Sequence, residues 1–418
     1  MQHYFYRTLT IQVKPSNPNY KFLDDLTFKA KNLYNQALYT ERQIYFQYQK
    51  FLSNFEMYKL LSDTEAFKAL PAQECSEILK MVYTELKSFQ AATKEYNRHP
   101  EKFKARPKLP KYKHKTKGRY TLNFGLQQLR FKDGYIILPK KLDNHKIKLP
   151  KHINPEGVQC LRVVPQNQRI KIEIIYNKPI NIPNIKENLK HIAGLDLGID
   201  NFAAIAVYGP NKTPLLLNGK GLKSYNKYFN KRLAYLQSRA KLENNQYTTK
   251  RIQRLYNKRS NYFNTWMHTA SKRIVQYLTQ NQVGHLIIGI NKGWKQESSL
   301  SKQANQTFIQ IPYQQFINIL TYKAQEQGIT VYHQEESYTS GTSFLDNEPP
   351  TKDYYNKSRR IHRGLFRSNQ NQFINADINA AYQIIKKVFP TARYSLPDHG
   401  ILGCNTHPVK LTIKSQAS

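Results

Sequence analysis

The stretch HIAGLDLGIDNFAAIAVYG, residues 191–209, decides the fold of the C-terminal half of the chain. Its apolar first part predicts a strand that carries Asp196 into its end, residues 198–201 predict a turn, and the apolar run 202–208 predicts a returning strand. Residues 213–217 offer a third strand. An aspartate in an otherwise buried strand is costly unless a cation or hydrogen bonds compensate its charge. The stretch therefore predicts a cation-binding carboxylate, with a chance strand-turn-strand pattern as the alternative.

A second acidic residue lies in the stretch FINADINAAYQIIKKVF, residues 373–389. Apolar side chains recur there with the period of a helix, so that Asp377 falls in the first turn. By itself, an acid at this place is typical of a helix N-terminus, where the helix dipole favours negative charge. Together with Asp196, about 180 residues upstream, it can act as one of a pair of carboxylates for a divalent metal.

The chain is strongly basic. Its 418 residues include 65 Lys and Arg against 28 Asp and Glu, a formal net charge of +37, and such an excess favours a polyanionic partner. No apolar run approaches the roughly 20 residues that span a bilayer, and the first residues lack the pattern of a signal peptide. Cys75, Cys160 and Cys404 form no CxxC pair, which excludes a cysteine-based zinc site and indicates a reducing compartment. We expect a cytoplasmic, nucleoid-associated protein with no membrane partner and no small-molecule cofactor.

The N-terminal half changes from strand-like to helical patterns and back. Residues 3–14 alternate as a strand does, and residues 20–97 follow a helical period. Short alternating stretches return in residues 120–177, where Asp133-Gly134 predicts a hairpin turn. These strands together predict a β-barrel into which the helices are inserted, and residues 178–189 are typical of a linker.

Residues 98–119 form a basic segment between these helices and strands. Ten of its 22 residues are Lys or Arg, and three prolines exclude a regular helix. A solvated linker is one interpretation. The other is an extended arm along a phosphate backbone, which the interspersed Phe103 and Tyr112 favour. The cations predicted to bind nucleic acid are Lys102, Lys104, Arg106, Lys108, Lys111, Lys113, Lys115, Lys117 and Arg119.

The sequence resembles the TnpB family of RNA-guided nucleases, which insertion sequences encode and which are relatives of the type V CRISPR effectors. The motifs that carry the resemblance are GLDLGID at 194–200, the basic helices from about 222 to 282, HLIIGINKGWKQ at 285–296, ESYTS at 336–340 and NADINAA at 375–381. The N-terminal half matches mainly in layout. The resemblance implies an α+β multidomain protein, with an N-terminal β-barrel (wedge) that carries a helical insertion and a C-terminal RNase H-like (RuvC) α/β domain.

The resemblance also implies the domain boundaries and partners. The expected domains are a wedge-like barrel with its basic arm at 1–19 and 98–180, a helical recognition insertion at 20–97, a nuclease domain at 190–340 and 372–390, a degenerate zinc-ribbon region at 341–371 and a tail at 391–418. The expected partners are a guide RNA from the transposon end and double-stranded target DNA. The protein would read heteroduplex shape and a short adjacent motif, and base pairing would read sequence.

One catalytic carboxylate of the family is missing from its usual strand. Most members carry a glutamate where this chain has Gly289. Some carry it instead two residues before Tyr-Thr-Ser, where this chain has Glu336, preceded by Glu335. Adjacent strands lie about 4.8 Å apart, so a carboxylate from the next strand could reach nearly the same point. The resemblance thus implies Asp196, Glu336 and Asp377 as ligands of two Mg²⁺, with Glu335 as a possible alternative; a solvated strand end is the other interpretation of the two glutamates.

A second departure concerns zinc. The family usually has two CxxC pairs between Tyr-Thr-Ser and the last aspartate, whereas residues 341–374 contain no cysteine. Because a structural zinc site requires four ligands, we expect a metal-free loop and no zinc. Further cations predicted to contact nucleic acid are Lys292, Lys295, Arg359, Arg360 and Arg363.

The carboxylates predict hydrolysis of phosphodiesters by two-metal catalysis with Mg²⁺, and the resemblance implies that the protein is an RNA-guided DNA endonuclease encoded by an insertion sequence. Three alternatives remain, of which one is a guide-independent, structure-selective nuclease. Gly289 keeps open a nuclease-inactive, RNA-guided DNA-binding protein, and a transposase acting in DNA recombination is the third.

Overall fold

A computed structural model of the chain divides into two compact units, residues 1–180 and 181–418. The structure describes residues 3–166, 169–180, 190–210, 212–291, 310–362, 364–393 and 408–413. Lys292, Lys295 and Arg363 lie outside the described residues, as do most of the expected linker and C-terminal tail. Of the helices in the described part, none is long and apolar enough to cross a membrane.

The first unit has a helical part that follows the period seen in the sequence. Its helices are α1 (Asn19–Tyr48), α2 (Asn54–Leu61), α3 (Glu65–Lys68) and α4 (Ala72–Arg98). Leu23, Leu26 and Leu33 of α1 are buried in one core with Ile78 and Leu86 of α4. The apolar spacing in residues 20–97 therefore marks the buried faces of these helices.

The strands of the first unit form two antiparallel sheets. They are β1 (His3–Val13), β2 (Leu122–Gly125), β3 (Arg130–Lys132), β4 (Tyr135–Ile137), β5 (Lys146–Lys148), β6 (Val158–Gln166) and β7 (Arg169–Ile180). The order is β1-β7-β6-β2 in one sheet and β3-β4-β5 in the other. Asp133 and Gly134 both have positive φ, 52° and 75°, as the two-residue turn between β3 and β4 requires, so the predicted hairpin is confirmed. The expected barrel takes the form of these two sheets, with β1 and β2 at the edges of the larger.

The second unit is built on a six-stranded mixed sheet. Its strands are β8 (His191–Leu197), β9 (Asn201–Tyr208), β10 (Leu215–Asn218), β11 (Val283–Ile290), β12 (Thr330–Glu335) and β16 (Val409–Leu411). Between β12 and β16 the chain forms β13 (Arg360–His362), β14 (Leu365–Arg367) and β15 (Phe373–Asn375). The order is β12-β11-β8-β9-β10-β16. Strands β11 and β12 run parallel to β8, and β9 runs antiparallel to it. Strands β13, β14 and β15 form a separate small sheet.

Helices cover both faces of the large sheet, as expected for an α/β domain of the RNase H-like class. They are α5 (Lys220–Asn244), α6 (Lys250–Gln280), α7 (Tyr313–Gln325) and α8 (Ala376–Val388). Leu195 of β8 belongs to the core on the side of α6 and α7, with Trp266 and Phe316. Ala204 and Ala206 of β9 belong to the opposite core, beneath α8. Because successive strand residues face opposite ways, Asp196 faces the side of α8.

Glu74 is a buried carboxylate of the first unit and is not one of the predicted metal ligands. It lies in the first turn of α4, is 1% exposed, and accepts a hydrogen bond of 2.8 Å from Gln128 Nε2. Burial raises the pKa of Glu74 to about 7, although the Gln128 bond opposes the shift. The folded protein therefore holds this carboxyl group in its neutral form at a pH where the unfolded chain would already be ionised.

We expect Glu74→Gln to stabilise the protein at neutral pH. Since the folded pKa is raised above the usual value of 4.5, the wild-type protein loses stability as the pH rises from about 4.5 to 7, by up to about 3 kcal/mol. The variant escapes that loss, so its advantage in Tm should be present at pH 7.5 and vanish at pH 4.5. Glu77→Gln, one turn along α4 and partly exposed, is the matched control and should change Tm little at either pH. An equal advantage of Glu74→Gln at both pH values would contradict the assignment.

Candidate active site

Helix α8 approaches strand β8 closely because Gly194 has no side chain. A Cβ at Gly194 would lie 2.0 Å from the backbone oxygen of Ala381 and 2.8 Å from Cγ1 of Ile385. Gly194 and Asp196 share a face of β8, and Asp377 lies one turn of α8 before Ala381. The contact at Gly194 therefore brings the first turn of α8, and Asp377 with it, to the carboxylate of Asp196.

Asn375 fixes Asp377 at the start of this helix. Its side-chain oxygen accepts hydrogen bonds from the backbone amides of Asp377 (3.1 Å) and Ile378 (3.2 Å), which makes it the N-cap of α8. This capping role of Asn375 was not predicted. The signal was present, since an asparagine directly before a helical period is a typical N-cap.

Glu336 occupies the space where a side chain at position 289 would stand. Strand β12 lies beside β11 in parallel register, with Gln334 opposite Gly289, and Glu336 follows the last residue of β12. A Cβ at Gly289 would lie 2.9 Å from Glu336 Oε2 and 2.6 Å from Cδ1 of Ile384. Because β11 also pairs with β8, this position is next to Asp196. The structure thus brings together the three carboxylates singled out in the sequence.

Asp196, Glu336 and Asp377 line one cavity of about 810 Å³. Burial, then the negative charges of Glu336 and Asp377, raise the pKa of Asp196 well above its usual value. Asp377 is held by two partners, Arg360 Nη2 at 2.9 Å from its Oδ1 and Asn201 Nδ2 at 2.9 Å from its Oδ2. The three carboxylates therefore concentrate negative charge that Arg360 balances only in part.

The residues of the cavity fit a hard divalent cation by their chemistry. Carboxylate oxygens are the ligands of Mg²⁺, which needs only one or two of them because it keeps several waters. Among the described residues, no three Asp, Glu, His or Cys side chains already converge as ion ligands. The contacts of Asp377 with Arg360 and Asn201 use both of its carboxylate oxygens. A bound ion would replace Arg360 as the neighbouring positive charge.

Glu335 lies outside this cavity. Its Oε1 accepts a hydrogen bond from the Ser337 amide (3.0 Å), and its Oε2 accepts from the Ser337 hydroxyl (2.5 Å) and the Lys387 ammonium (3.2 Å). Burial alone would raise the pKa of Glu335, but Ser337 and Lys387 outweigh it and lower the pKa. Of the two adjacent glutamates, only Glu336 lines the cavity of Asp196.

The region from 341 to 371 is organised around a buried carboxylate. Glu348 is 6% exposed, and its oxygens accept from the Arg359 guanidinium (2.5 Å), the Ser343 amide (2.8 Å) and the Asn369 side chain (3.0 Å). Phe366 is fully buried nearby in the core beneath α8. Arg359, predicted to contact nucleic acid, thus has a structural role, because its partner would otherwise be a buried unpaired charge.

The basic segment packs along α1 rather than forming a loose linker. Asn35 exchanges two hydrogen bonds of 2.8 Å with the backbone of Lys113, and Lys31 donates to the Lys115 carbonyl at 2.5 Å. The Lys113 ammonium lies 4.8 Å from the centre of the Tyr34 ring. The cations of this arm whose side chains remain exposed are Lys102, Lys104, Arg106, Lys108, Lys111, Lys115 and Lys117.

Two cations of the basic segment that were predicted to bind nucleic acid, Arg119 and Lys102, form ion pairs within the first unit. Arg119 donates to both carboxylate oxygens of Asp24, at 2.8 and 2.6 Å, and Lys102 pairs with Glu95 at 2.8 Å. The Arg119 pair is largely shielded from solvent and fixes the end of the arm on α1, so its role is structural. The Lys102 pair is exposed, and such pairs contribute little to stability.

Comparisons with known proteins agree with this fold. A family model named OrfB_IS605, a probable transposase, matches residues 171–295, and one for the Cas12f1-like TNB domain matches residues 313–384. A cryo-EM structure of a Cas12f1–sgRNA–target DNA complex is similar at a TM-score of 0.52 and 16% identity, over 87% of this chain and 81% of that one. The mini-RNA-guided endonuclease CRISPR-Cas_phi3 aligns over 93% of both chains at 9% identity and a TM-score of 0.47. No curated protein matches by sequence. At such identities the structural likeness shows the fold alone.

We expect Glu348→Gln to destabilise the protein by about 3 kcal/mol, because it leaves the Arg359 guanidinium buried without its counter-charge. Chemical denaturation of the variant and the wild type measures the difference. Glu243→Gln is the control, since Glu243 pairs with Arg239 on the exposed surface of α5, where the loss should stay within about 1 kcal/mol. A chelator should leave the wild-type transition unchanged. A chelator-induced drop together with a silent Glu348→Gln would mean that a metal, and not Glu348, holds this region.

We expect the triple change Lys111→Gln, Lys115→Gln and Lys117→Gln to weaken nucleic-acid binding and to make its salt dependence shallower. Each lost phosphate contact should remove about 0.9 from the slope of log K against log salt on duplex DNA, so the slope should fall by about 2 to 3. Lys113→Gln is the control, because Lys113 packs on Tyr34 and should affect stability more than slope. An unchanged slope and affinity for the triple variant would show that the arm does not contact phosphate.

Proposed function

We propose that this TnpB-like chain is an RNA-guided DNA endonuclease, in which Asp196, Glu336 and Asp377 hold two Mg²⁺ for phosphodiester hydrolysis. The observation that carries the proposal is the contact at Gly289, where the Glu336 carboxylate lies in the space of the missing side chain. A glycine at this position is therefore compatible with a complete set of three carboxylates around one cavity.

The protein residues have separable tasks in this reaction. Two Mg²⁺ held by Asp196, Glu336 and Asp377 would supply activation of the attacking water and stabilisation of the leaving 3′ oxygen. Asp196 lies on a central strand, where burial and then the charges of Glu336 and Asp377 raise its pKa; a bound cation would favour the ionised form of this carboxyl group. Asn201 and the Asn375 cap orient Asp377. Arg360 lines the same cavity, and on leaving Asp377 its guanidinium can pair with a phosphate of the substrate strand.

Guide RNA and double-stranded target DNA are the proposed partners. The similar Cas12f1 structure is a complex with sgRNA and target DNA, and a net charge of +37 suits a polyanionic partner. Sequence choice would come from pairing between the guide and one DNA strand, while the protein reads the shape of the heteroduplex and a short adjacent motif. The expected domain boundaries, with a wedge, a recognition insertion and a nuclease domain, belong to the same proposal.

A nuclease-inactive RNA-guided DNA binder is the second candidate. The observation that favours it is the engagement of both Asp377 oxygens by Arg360 and Asn201. The family description "probable transposase" supports a role in DNA recombination, which cleavage of guided DNA would also serve.

We expect Glu336→Gln to lower guided DNA cleavage by ~10³-fold or more while guided DNA binding stays within about twofold, because the amide keeps the shape of the side chain but loses the charge that holds metal. Cleavage of a labelled duplex in Mg²⁺ and filter binding in chelator measure the two effects. Asp196→Asn and Asp377→Asn should behave alike, since members of one metal cluster act as a unit.

Glu335→Gln is the matched control, because Glu335 differs by one position and pairs with Lys387 outside the cavity. It should retain cleavage. Loss of cleavage in Glu335→Gln with full activity of Glu336→Gln would assign the metal to Glu335 instead. A wild-type protein that binds guided DNA but never cuts it in Mg²⁺ would establish the inactive binder.

A further inference from the structure

Helix α5 exposes large side chains at a spacing of seven residues. Tyr228, Tyr235 and Leu242 are 59%, 53% and 80% exposed. Seven residues advance a helix by about 10.5 Å and turn it almost twice, so these side chains form one row along the axis. We call Tyr228, Arg232, Tyr235, Arg239 and Leu242 the tyrosine stripe, because the two arginines lie on the same row between the three large residues.

The tyrosine stripe is not a core face left open by the fold. The buried side of α5 is formed by Phe229, Leu236 and Ala240, which pack with Ile252 and Leu255 of α6 in a small core of their own. These residues satisfy the apolar face that a helix of this kind needs. The exposed aromatic residues lie on a different face of the helix, about 100° around its axis from this core face, and therefore require another explanation.

The charged residues of the helix that carries the stripe are nearly all positive. Helix α5 carries seven Lys and Arg residues and one acid, Glu243, and that acid pairs with Arg239. The Arg232 guanidinium lies 5.1 Å from the centre of the Tyr235 ring, in cation–π contact. Aromatic rings and guanidinium planes are the two side-chain surfaces on which unpaired bases stack.

We infer that the tyrosine stripe binds an unpaired segment of RNA, whose bases stack on Tyr228 and Tyr235 while its phosphates contact the flanking cations. Tyrosine hydroxyls can also bond to a 2′-hydroxyl, the group by which a protein tells RNA from DNA. The inference rests on the proposed function in one respect, that the chain carries a guide RNA.

A second copy of the chain fits the stripe less well. Rows of large side chains every seven residues are also the pattern of a coiled-coil seam. Here, however, the intervening seam positions are Arg232 and Arg239, and a packed helix pair would bury these like charges together at a high cost. RNA supplies the opposite charge, and this complementarity decides between the two occupants.

The test uses the full-length protein, a 12-nucleotide oligoadenylate RNA, an abasic RNA backbone of the same length, and chelator to prevent hydrolysis. Salt of about 0.5 M suppresses contacts that are only electrostatic. The wild type should bind oligoadenylate more tightly than the abasic strand. Tyr228→Ala with Tyr235→Ala should weaken oligoadenylate binding at least tenfold, in line with about 1–3 kcal/mol per stacked base, and leave abasic binding unchanged. Tyr228→Phe with Tyr235→Phe should keep most of the affinity.

Several outcomes would overturn the inference. An unchanged oligoadenylate affinity in the alanine variant, with no cross-link from iodouridine-labelled RNA to the α5 peptide, would remove the site. If the protein bound oligodeoxyadenylate more tightly than RNA, the stripe would be a binding site for a DNA strand. If the alanine changes lowered the molar mass measured by light scattering, the stripe would be an interface with a second copy of the chain. Cleavage is measured separately. If the protein cuts guided DNA but the alanine changes leave RNA binding unchanged, this inference alone is refuted. If the stripe binds RNA in a protein that never cuts DNA, only the proposed nuclease activity is refuted.

Discussion

The contact between Gly194 and the backbone of Ala381 is the constraint on which the carboxylate cavity depends. A Cβ at position 194 would overlap the Ala381 carbonyl oxygen, so any other residue would push α8 away from the sheet. Asp377 would move with the helix and Asp196 would stay on its strand. Displacements of about 1 Å are enough to impair a catalytic arrangement. One missing side chain in β8 therefore controls the geometry of residues about 180 positions apart.

A second glycine extends the same principle to the third carboxylate. A side chain at position 289 and the present position of Glu336 exclude each other, because a Cβ there would lie 2.9 Å from Glu336 Oε2. The two strands are adjacent and parallel, so an acid at the end of either can reach one point. The sheet thus determines the point beside Asp196 at which the third carboxylate lies, and either of the two strands can supply it. Gly289 by itself is weak evidence of a decayed nuclease.

Local patterns predicted much of the fold, and long-range pairing limited the rest. The hairpin at Asp133-Gly134, the first strand and the placement of Asp196 at a strand end all follow from short stretches of sequence. The roles of Arg119 and Arg359 do not, because a cation in a basic segment carries no mark of its future partner. Asp24 lies 95 residues from Arg119 in sequence, and the burial of Glu348 depends on packing beneath α8.

The scarcity of acids explains how a chain of this charge can fold and still bind a polyanion. With 28 acids against 65 cations, there are too few acids to give most cations an acidic partner of their own, and several of the buried acids hold particular segments in place. Asp24 fixes the basic arm, Glu348 organises the region that lacks zinc-binding cysteines, and the three cavity carboxylates remain close together at a cost that shows in the raised pKa of Asp196. Asp24 and Glu348 each have a specific positive partner. The surplus positive charge repels itself in the folded chain, and nucleic acid, as the proposed partner, would neutralise that charge and, by binding the folded state, stabilise it.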